Sequence, residues 1–370
     1  MSDPENTTAL HQRDGIDRPQ PLNPEAKTIV ARKSIPDAST LISGIQSRDI
    51  AALSRAITLI ESTNHAHSQI SAAVLSACLP ASGKSVRIGI TGVPGVGKST
   101  FIEAFGTYLT SLGKKVAVLA IDPSSSVSRG SILGDKTRME ELVKDPNAFI
   151  RPSASGKTLG GVARSTRESI TLCEAFGFDV VIVETVGVGQ SETAVHEMTD
   201  FFLLLKIAGA GDELQGIKRG IMEMADLIVI NKADGDNVKK ARLARTEFDR
   251  ALHFFPPHPS GQIPHAVTAS SVTSEGIPEI WNVILNYCDA TKTNGYFESN
   301  RNRQQLSWFE SSLNEQLIQH FHGNEALSSL LAQMKTAVIS QKMSPFTAAA
   351  ELMAVALNGG TNPDANISRH

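Results

Sequence analysis

Val86-Arg87-Ile88-Gly89-Ile90-Thr91, followed by Gly92-Val93-Pro94-Gly95-Val96-Gly97-Lys98-Ser99, is the stretch whose reading decides the fold. The first six residues are mostly apolar and follow the breaker run Pro80-Ala81-Ser82-Gly83, which predicts a buried strand. The next eight match G-x-x-x-x-G-K-[ST], and a helical pattern follows, so the motif stands in the strand-to-helix context that gives it meaning. Its glycines let backbone N–H groups turn inward around a β-phosphate, and the helix presents its positive end. Lys98 supplies a mobile charge to the β and γ oxygens, and Ser99 offers a hydroxyl to Mg²⁺. A bare glycine turn has no need of Lys98 and Ser99 at those offsets. Gly92, Val93, Pro94, Gly95, Val96, Gly97, Lys98, Ser99 and Thr100 are therefore expected around nucleotide phosphates.

From this segment to about residue 290, strands and helices alternate, the signature of an α/β fold with a mainly parallel sheet. Strands are expected at Val86–Thr91, Lys115–Ile121, Phe149–Arg151, Asp179–Glu184, Phe201–Lys206, Leu227–Asn231 and His265–Thr268. Helices are expected near 98–112, 160–176, 214–224, 238–254 and 277–290. A carboxylate at the C-terminal end of a strand in such a sheet points toward the ligand crevice. Asp122 closes the second strand and is a candidate for the metal surroundings. The Ser- and Gly-rich loop from Ser124 to Asp135 reads as a switch ordered by nucleotide, although Asp135 could equally cap a short helix. Glu184 ends the fourth strand, with Gly187 three residues on, an arrangement that holds Mg²⁺ through water and senses a γ-phosphate. The residue after that glycine is Val188 instead of a water-orienting glutamine, which predicts slow intrinsic hydrolysis.

The strand Leu227–Asn231 runs into Lys232-Ala233-Asp234, an N-K-x-D sequence. A carboxylate at Asp234 would accept from N1–H and the exocyclic amine of guanine, two donors that adenine does not display there, so adenine would leave it desolvated and unpaired. Lys232 would lie along the base and Asn231 would tie this loop to the phosphate loop. Thr268-Ala269-Ser270-Ser271 ends the last strand, and Ser270 or Ser271 can offer a backbone N–H to guanine O6.

The 370 residues are 41% apolar and 20% charged, enough to bury a sizeable core. A net charge of −3 lacks the basic footprint of a nucleic-acid binder. Cys78, Cys173 and Cys288 form no C-x-x-C pair, so neither a disulfide framework nor a cysteine metal site is expected. No apolar run has the length of a membrane span and the first residues lack a signal core, so a cytoplasmic protein is expected. The expected organisation is a mobile tail at 1–37, with prolines at Pro4, Pro19, Pro21, Pro24 and Pro36, and a helical N-terminal extension at 38–82, read as two helices. The nucleotide domain at 83–290, a helical arm at 291–358 resuming at Asn302, and a frayed tail at 359–370 complete it.

The strings GITGVPGVGKSTFIEAFG, AIDPSSSVSRGSILGDKTRM, FIRPSASGKTLGGVA, VVIVETVGVGQSE, AGAGDELQGIKRGIMEMADLIVINKAD and EGIPEIW together resemble the MeaB family. The resemblance runs from about Leu41 to Leu357. It implies a P-loop NTPase fold with a helical N-terminal extension and a C-terminal dimerisation arm, hence a homodimer. The implied activity is that of a GTPase chaperone, using GTP and Mg²⁺. Its implied partner is an adenosylcobalamin-dependent acyl-CoA mutase, typically methylmalonyl-CoA mutase, whose cofactor loading it gates and which it protects from inactivation. Ser99, Asp122, Asp135 and Glu184 would surround the Mg²⁺. Gly209–Lys218 would form a further switch, with Lys218 approaching Glu184; read from the residues alone, this is a flexible loop with Asp212 as a helix cap. Ser271 stands where the guanine-contacting loop of the family normally has Ala, and the proline-rich tail is longer than in bacterial members. No D-x-H-x-x-G motif occurs, so cobalamin is expected to belong to the partner. Two alternatives carry less weight. A metallochaperone GTPase of the nickel-insertion type would want clustered histidines, whereas only His65/His67 and His320/His322 lie close, at a spacing that shares no helix face. A kinase or ATPase linked to amino-acid transport disagrees with N-K-A-D and lacks a visible acceptor site.

Overall fold

The computed structural model describes residues 36–62, 64–121, 139–152, 159–185, 191–209 and 219–357. Contacts separate Met1–Pro36 from Asp37–His370, and the architecture here is that of the second unit. Its centre is a sheet of seven strands, all parallel: β1 (Val86–Gly92), β2 (Val116–Ile121), β3 (Ala148–Arg151), β4 (Val180–Thr185), β5 (Phe201–Ile207), β6 (Leu227–Asn231) and β7 (His265–Thr268). The spatial order is β3-β2-β4-β1-β5-β6-β7. The chain leaves β1 toward β2 on one side, and later leaves β4 toward β5 on the other. The C-terminal end of β1 is thus a topological switch point, where such sheets open a ligand crevice.

Helices cover both faces, so the strands are apolar on both sides. Val180 and Ile182 of β4 face one core layer, and Val181 and Val183 face the other. The first layer is completed by α4 (Lys98–Ser111) and α9 (Ile277–Thr293), through Phe101, Phe105, Trp281 and Ile284. The second is completed by the N-terminal helices α1 (Ala38–Gln46), α2 (Ile50–Ile60) and α3 (His65–Cys78), by α5 (Leu159–Phe176) and by α8 (Val238–Leu252). Two short helices, α6 (Ser191–His196) and α7 (Arg219–Met224), flank β5. The C-terminal segment forms α10 (Tyr296–Gly323), α11 (Glu325–Ile339) and α12 (Pro345–Leu357).

Two expectations are corrected. The N-terminal segment holds three helices instead of two. Asp49 caps α2 by accepting from Ala51 N at 2.8 Å, Asn64 caps α3 through Ala66 N at 3.0 Å, and Arg48 takes a left-handed φ of 63° between α1 and α2. The apolar period hides the first break because Leu41, Ile45, Leu53 and Ile57 all reach the same core. The C-terminal helices resume at Tyr296 instead of Asn302, and the first turns of α10 bury Phe297, Asn300, Arg301 and Gln304. Polar side chains on a buried face leave no hydrophobic period to read.

At the end of the sheet opposite the switch point, three aspartates lock neighbouring strands. Asp179, Asp200 and Asp226 each immediately precede a strand. Asp200 Oδ2 accepts from Arg87 N at 2.8 Å while its own N–H donates to the Arg87 carbonyl at 2.8 Å. Asp179 does the same with Lys115, and Asp226 with Phe202. Each carboxylate satisfies a strand-initial N–H that would otherwise be orphaned.

Candidate nucleotide site

Gly92 ends β1 with its Cα against β5, where an added Cβ would lie 2.6 Å from the Leu205 carbonyl oxygen. The chain then turns through Gly97, whose φ of 90° is left-handed, and enters α4 at Lys98. A side chain at Gly97 would also meet Asn231 Nδ2 at 3.0 Å. Val96 is fully buried and anchors the loop, whereas Pro94, Gly95 and Thr100 are exposed and Lys98 and Ser99 are half-buried in the first turn of α4. Lys98 Nζ donates to the Gly92 carbonyl at 2.7 Å, which keeps the ammonium over the mouth of the loop.

The N-K-x-D segment leaves β6 beside this loop. Asn231, 1% exposed, donates from Nδ2 to the Val96 carbonyl at 3.0 Å. Lys232 takes a left-handed φ of 57°, and its Nζ donates to the Gly95 carbonyl at 2.9 Å. Two straps therefore join the base-side loop to the phosphate-side loop across 135 and 137 residues of sequence. The Asp234 carboxylate accepts from Ser270 Oγ at 2.6 Å, and the Asn231 carboxamide oxygen accepts from Ser271 Oγ at 2.8 Å. Gly276, with φ 82°, lets the turn after β7 close against Thr268, whose carbonyl oxygen an added Cβ would meet at 2.4 Å.

Some contacts lie beyond the sequence reading. The Ser270 N–H donates to the Glu275 carbonyl at 2.9 Å, so that backbone donor is engaged within the turn. The hydroxyls of Ser270 and Ser271 instead face the N-K-x-D side chains. Asn237 Nδ2 donates to the Lys232 carbonyl at 2.8 Å and steadies the same loop; an Asn three residues past the motif was the signal available for it.

Glu184 is buried near the C-terminal end of β4, paired in register with Ile90. The next pair of side chains, Thr91 and Thr185, share a hydroxyl hydrogen bond of 2.9 Å. The end of β4 thus lies alongside the start of the phosphate loop. Ser99 and Glu184 offer a hydroxyl and a carboxylate, the hard oxygen donors that suit Mg²⁺. Asp122, Asp135, Val188 and Lys218 lie outside the described residues.

Comparison with known proteins follows the same outline. Residues 53–326 match the family model described as "Methylmalonyl Co-A mutase-associated GTPase MeaB". The chain is 49% identical over 318 residues to a putative GTPase of Caulobacter vibrioides, spanning 86% of this chain and 97% of that protein. It is 43% identical over 319 residues to the mitochondrial methylmalonic aciduria type A homolog of Mus musculus, spanning 84% and 77% of the two chains. A solved structure described as a LAO/AO transport system kinase is 39% identical and superposes with a TM-score of 0.69, over 86% of this chain and 97% of that one.

Proposed function

The chain belongs to the MeaB family and is a GTP-hydrolysing enzyme, and from that premise we propose that its turnover serves an adenosylcobalamin-dependent acyl-CoA mutase. The partner that fits best is methylmalonyl-CoA mutase, whose cofactor loading the GTPase would gate and which it would protect from inactivation. The family description, which names a mutase-associated GTPase, supports the partner. The observation that carries the nucleotide assignment is the Asp234 carboxylate held at 2.6 Å by Ser270, beside an Asn231 and a Lys232 that are strapped to the phosphate loop.

In this reading Asp234 accepts from N1–H and the exocyclic amine of guanine, Lys232 lies along the base, and the Ser271 N–H meets O6. The N–H groups of the phosphate loop surround the β-phosphate, and Lys98 leaves the Gly92 carbonyl to neutralise charge on the β and γ oxygens. Ser99 and Glu184 would hold Mg²⁺, directly or through water, with Asp122 and Asp135 as further candidates. The ion, when bound, would neutralise charge that develops on the phosphate oxygens. Lys218 would couple the partner surface to Glu184.

A homodimer through the C-terminal arm is part of the same proposal. Leu306, Phe309, Leu313 and Leu317 form an apolar stripe on α10, each more than 40% exposed, and a second copy of the arm would cover it. Among the described residues, no helix is long and apolar enough to cross a membrane.

The test is GTP and ATP turnover by the purified protein, with and without purified methylmalonyl-CoA mutase. Slow GTP turnover that rises with the mutase is the expected result. Unchanged turnover would overturn the partner, and preference for ATP would overturn the base assignment.

A further inference from the structure

Resting on the guanine-nucleotide reading of this site, we infer that the side-chain hydroxyl of Ser271 sets how tightly the nucleotide is held, by positioning the carboxamide that joins the base loop to the phosphate loop. Asn231 is almost fully buried and has two ends of opposite polarity. The Val96 carbonyl can only accept, so it takes the Nδ2 end, at 3.0 Å. The other end, Oδ1, then needs a donor, and Ser271 Oγ supplies it at 2.8 Å from the exit of β7. With both ends engaged, the carboxamide is fixed against Gly97, where no side chain could fit without displacing it.

The neighbouring serine does different work. Ser270 Oγ is committed to Asp234, the carboxylate that reads the base. Ser271 touches the strap between the loops and not the base-reading carboxylate. A nucleotide must bridge both loops, so a strap that holds them in register before binding reduces the ordering that binding requires. Its loss should appear mainly as faster release. With Ala at 271, Asn231 Oδ1 would lose its donor inside a buried site, a defect of the kind that costs about 1 kcal/mol or more, equivalent to roughly a fivefold to tenfold change in rate.

The experiment is stopped-flow release of N-methylanthraniloyl-GDP from the full chain, in wild type, Ser271→Ala, Ser271→Thr, Asn231→Ala and the Ser271→Ala/Asn231→Ala double variant. Ser271→Ala should release the nucleotide roughly fivefold to tenfold faster. Ser271→Thr, which keeps the hydroxyl, should restore a rate near wild type. In the Asn231→Ala background, removing the hydroxyl should change the rate by less than about twofold, since the two act through one contact. The ratio of GDP to IDP release should be the same in Ser271→Ala as in wild type, because base reading lies with Asp234. A wild-type rate in Ser271→Ala, equal acceleration in both backgrounds, or an altered GDP/IDP ratio would overturn the role of Ser271 while leaving the guanine site standing. Failure of the wild-type chain to bind the fluorescent GDP would overturn both. A melting temperature for each nucleotide-free variant separates loss of the contact from loss of the fold.

Discussion

Arg301 on α10 grips Asp200 at the head of β5 with two hydrogen bonds, Nε to Oδ1 at 2.7 Å and Nη2 to Oδ2 at 2.6 Å, across 101 residues of sequence. The same guanidinium donates to the Gly83 and Ser85 carbonyls and lies 4.4 Å from the centre of the Phe297 ring. Alongside, Arg87 makes a bidentate pair with Glu174 at 2.8 and 2.9 Å. Burial alone would raise the Glu174 pKa, but Arg87, Ser85 and the Gly83 N–H hold it below its ordinary value. This buried network docks the first turns of the C-terminal arm onto the sheet. Removing one partner of such a pair leaves the other as a buried, unpaired charge. Arg301→Met is therefore expected to lower unfolding free energy by about 3–5 kcal/mol, read from urea denaturation.

Lys98→Ala is expected to lower GTP turnover at least 100-fold, on the order of 3 kcal/mol of transition-state stabilisation, with a melting temperature close to wild type. Lys98 is half-buried at the mouth of the loop, where its ammonium donates to the Gly92 carbonyl, so truncating it removes little apolar burial from the core. Phosphate-release assays paired with thermal melts check both halves.

Asp234→Asn should shift preference from guanine to xanthine nucleotides, because an amide donates where the carboxylate accepted, and xanthine carries a carbonyl in place of the guanine amine. The Ser270 hydroxyl can still hold the oxygen of the new side chain. Competition between GDP and XDP for the fluorescent nucleotide measures the switch, expected at about 100-fold or more for a mismatched buried polar pair. Retained guanine preference would mean that the base lies elsewhere.

Asp226 and His196, buried in the segments that precede β6 and β5, oppose each other in pH dependence. Asp226 and His258 lie 3.7 Å apart, but burial favours the neutral form of each. Burial raises the Asp226 pKa from 3.8 to about 7, so its contribution is fully present at low pH and is lost as pH rises through 7. Burial, with the charges of His258 and Arg303, lowers the His196 pKa from 6.5 to about 4. Its contribution is present above pH 6.5 and is lost as pH falls toward 4. Each amounts to about 2 kcal/mol between pH 7 and pH 5, and the signs are opposite. Asp226→Asn should make the protein more acid-labile over that interval than wild type, and His196→Leu should make it less so. Urea midpoints at the two pH values decide it.

The parts of the molecule legible from sequence are those governed by local rules. The strands of the sheet have apolar runs ended by turns, and the phosphate loop announces itself by spacing alone, so β6 and β7 start and stop where the residues say. Asn231, Lys232 and Asp234 could be placed beside that loop because a strand delivers them to the same edge. What escaped was set by contacts distant in sequence. The break between α1 and α2 depends on the left-handed turn at Arg48, and the early start of α10 depends on burying Arg301 against Asp200. The hydroxyl of Ser271 gave no local sign of its partner forty positions away.

The aspartates that precede β4, β5 and β6 give the sheet a fixed origin for counting residues along its strands. Each of these three strands is keyed to one neighbour at the end of the sheet remote from the phosphate loop, so a shift of one position would break two hydrogen bonds at a time. Lengthening, shortening or rearranging the segments after β2, β4 and β5 alters nothing in that key. Gly92 and Asn231, on strands joined through β5 by Asp200 and Asp226, therefore reach the same end of the sheet in a register that loop length does not set.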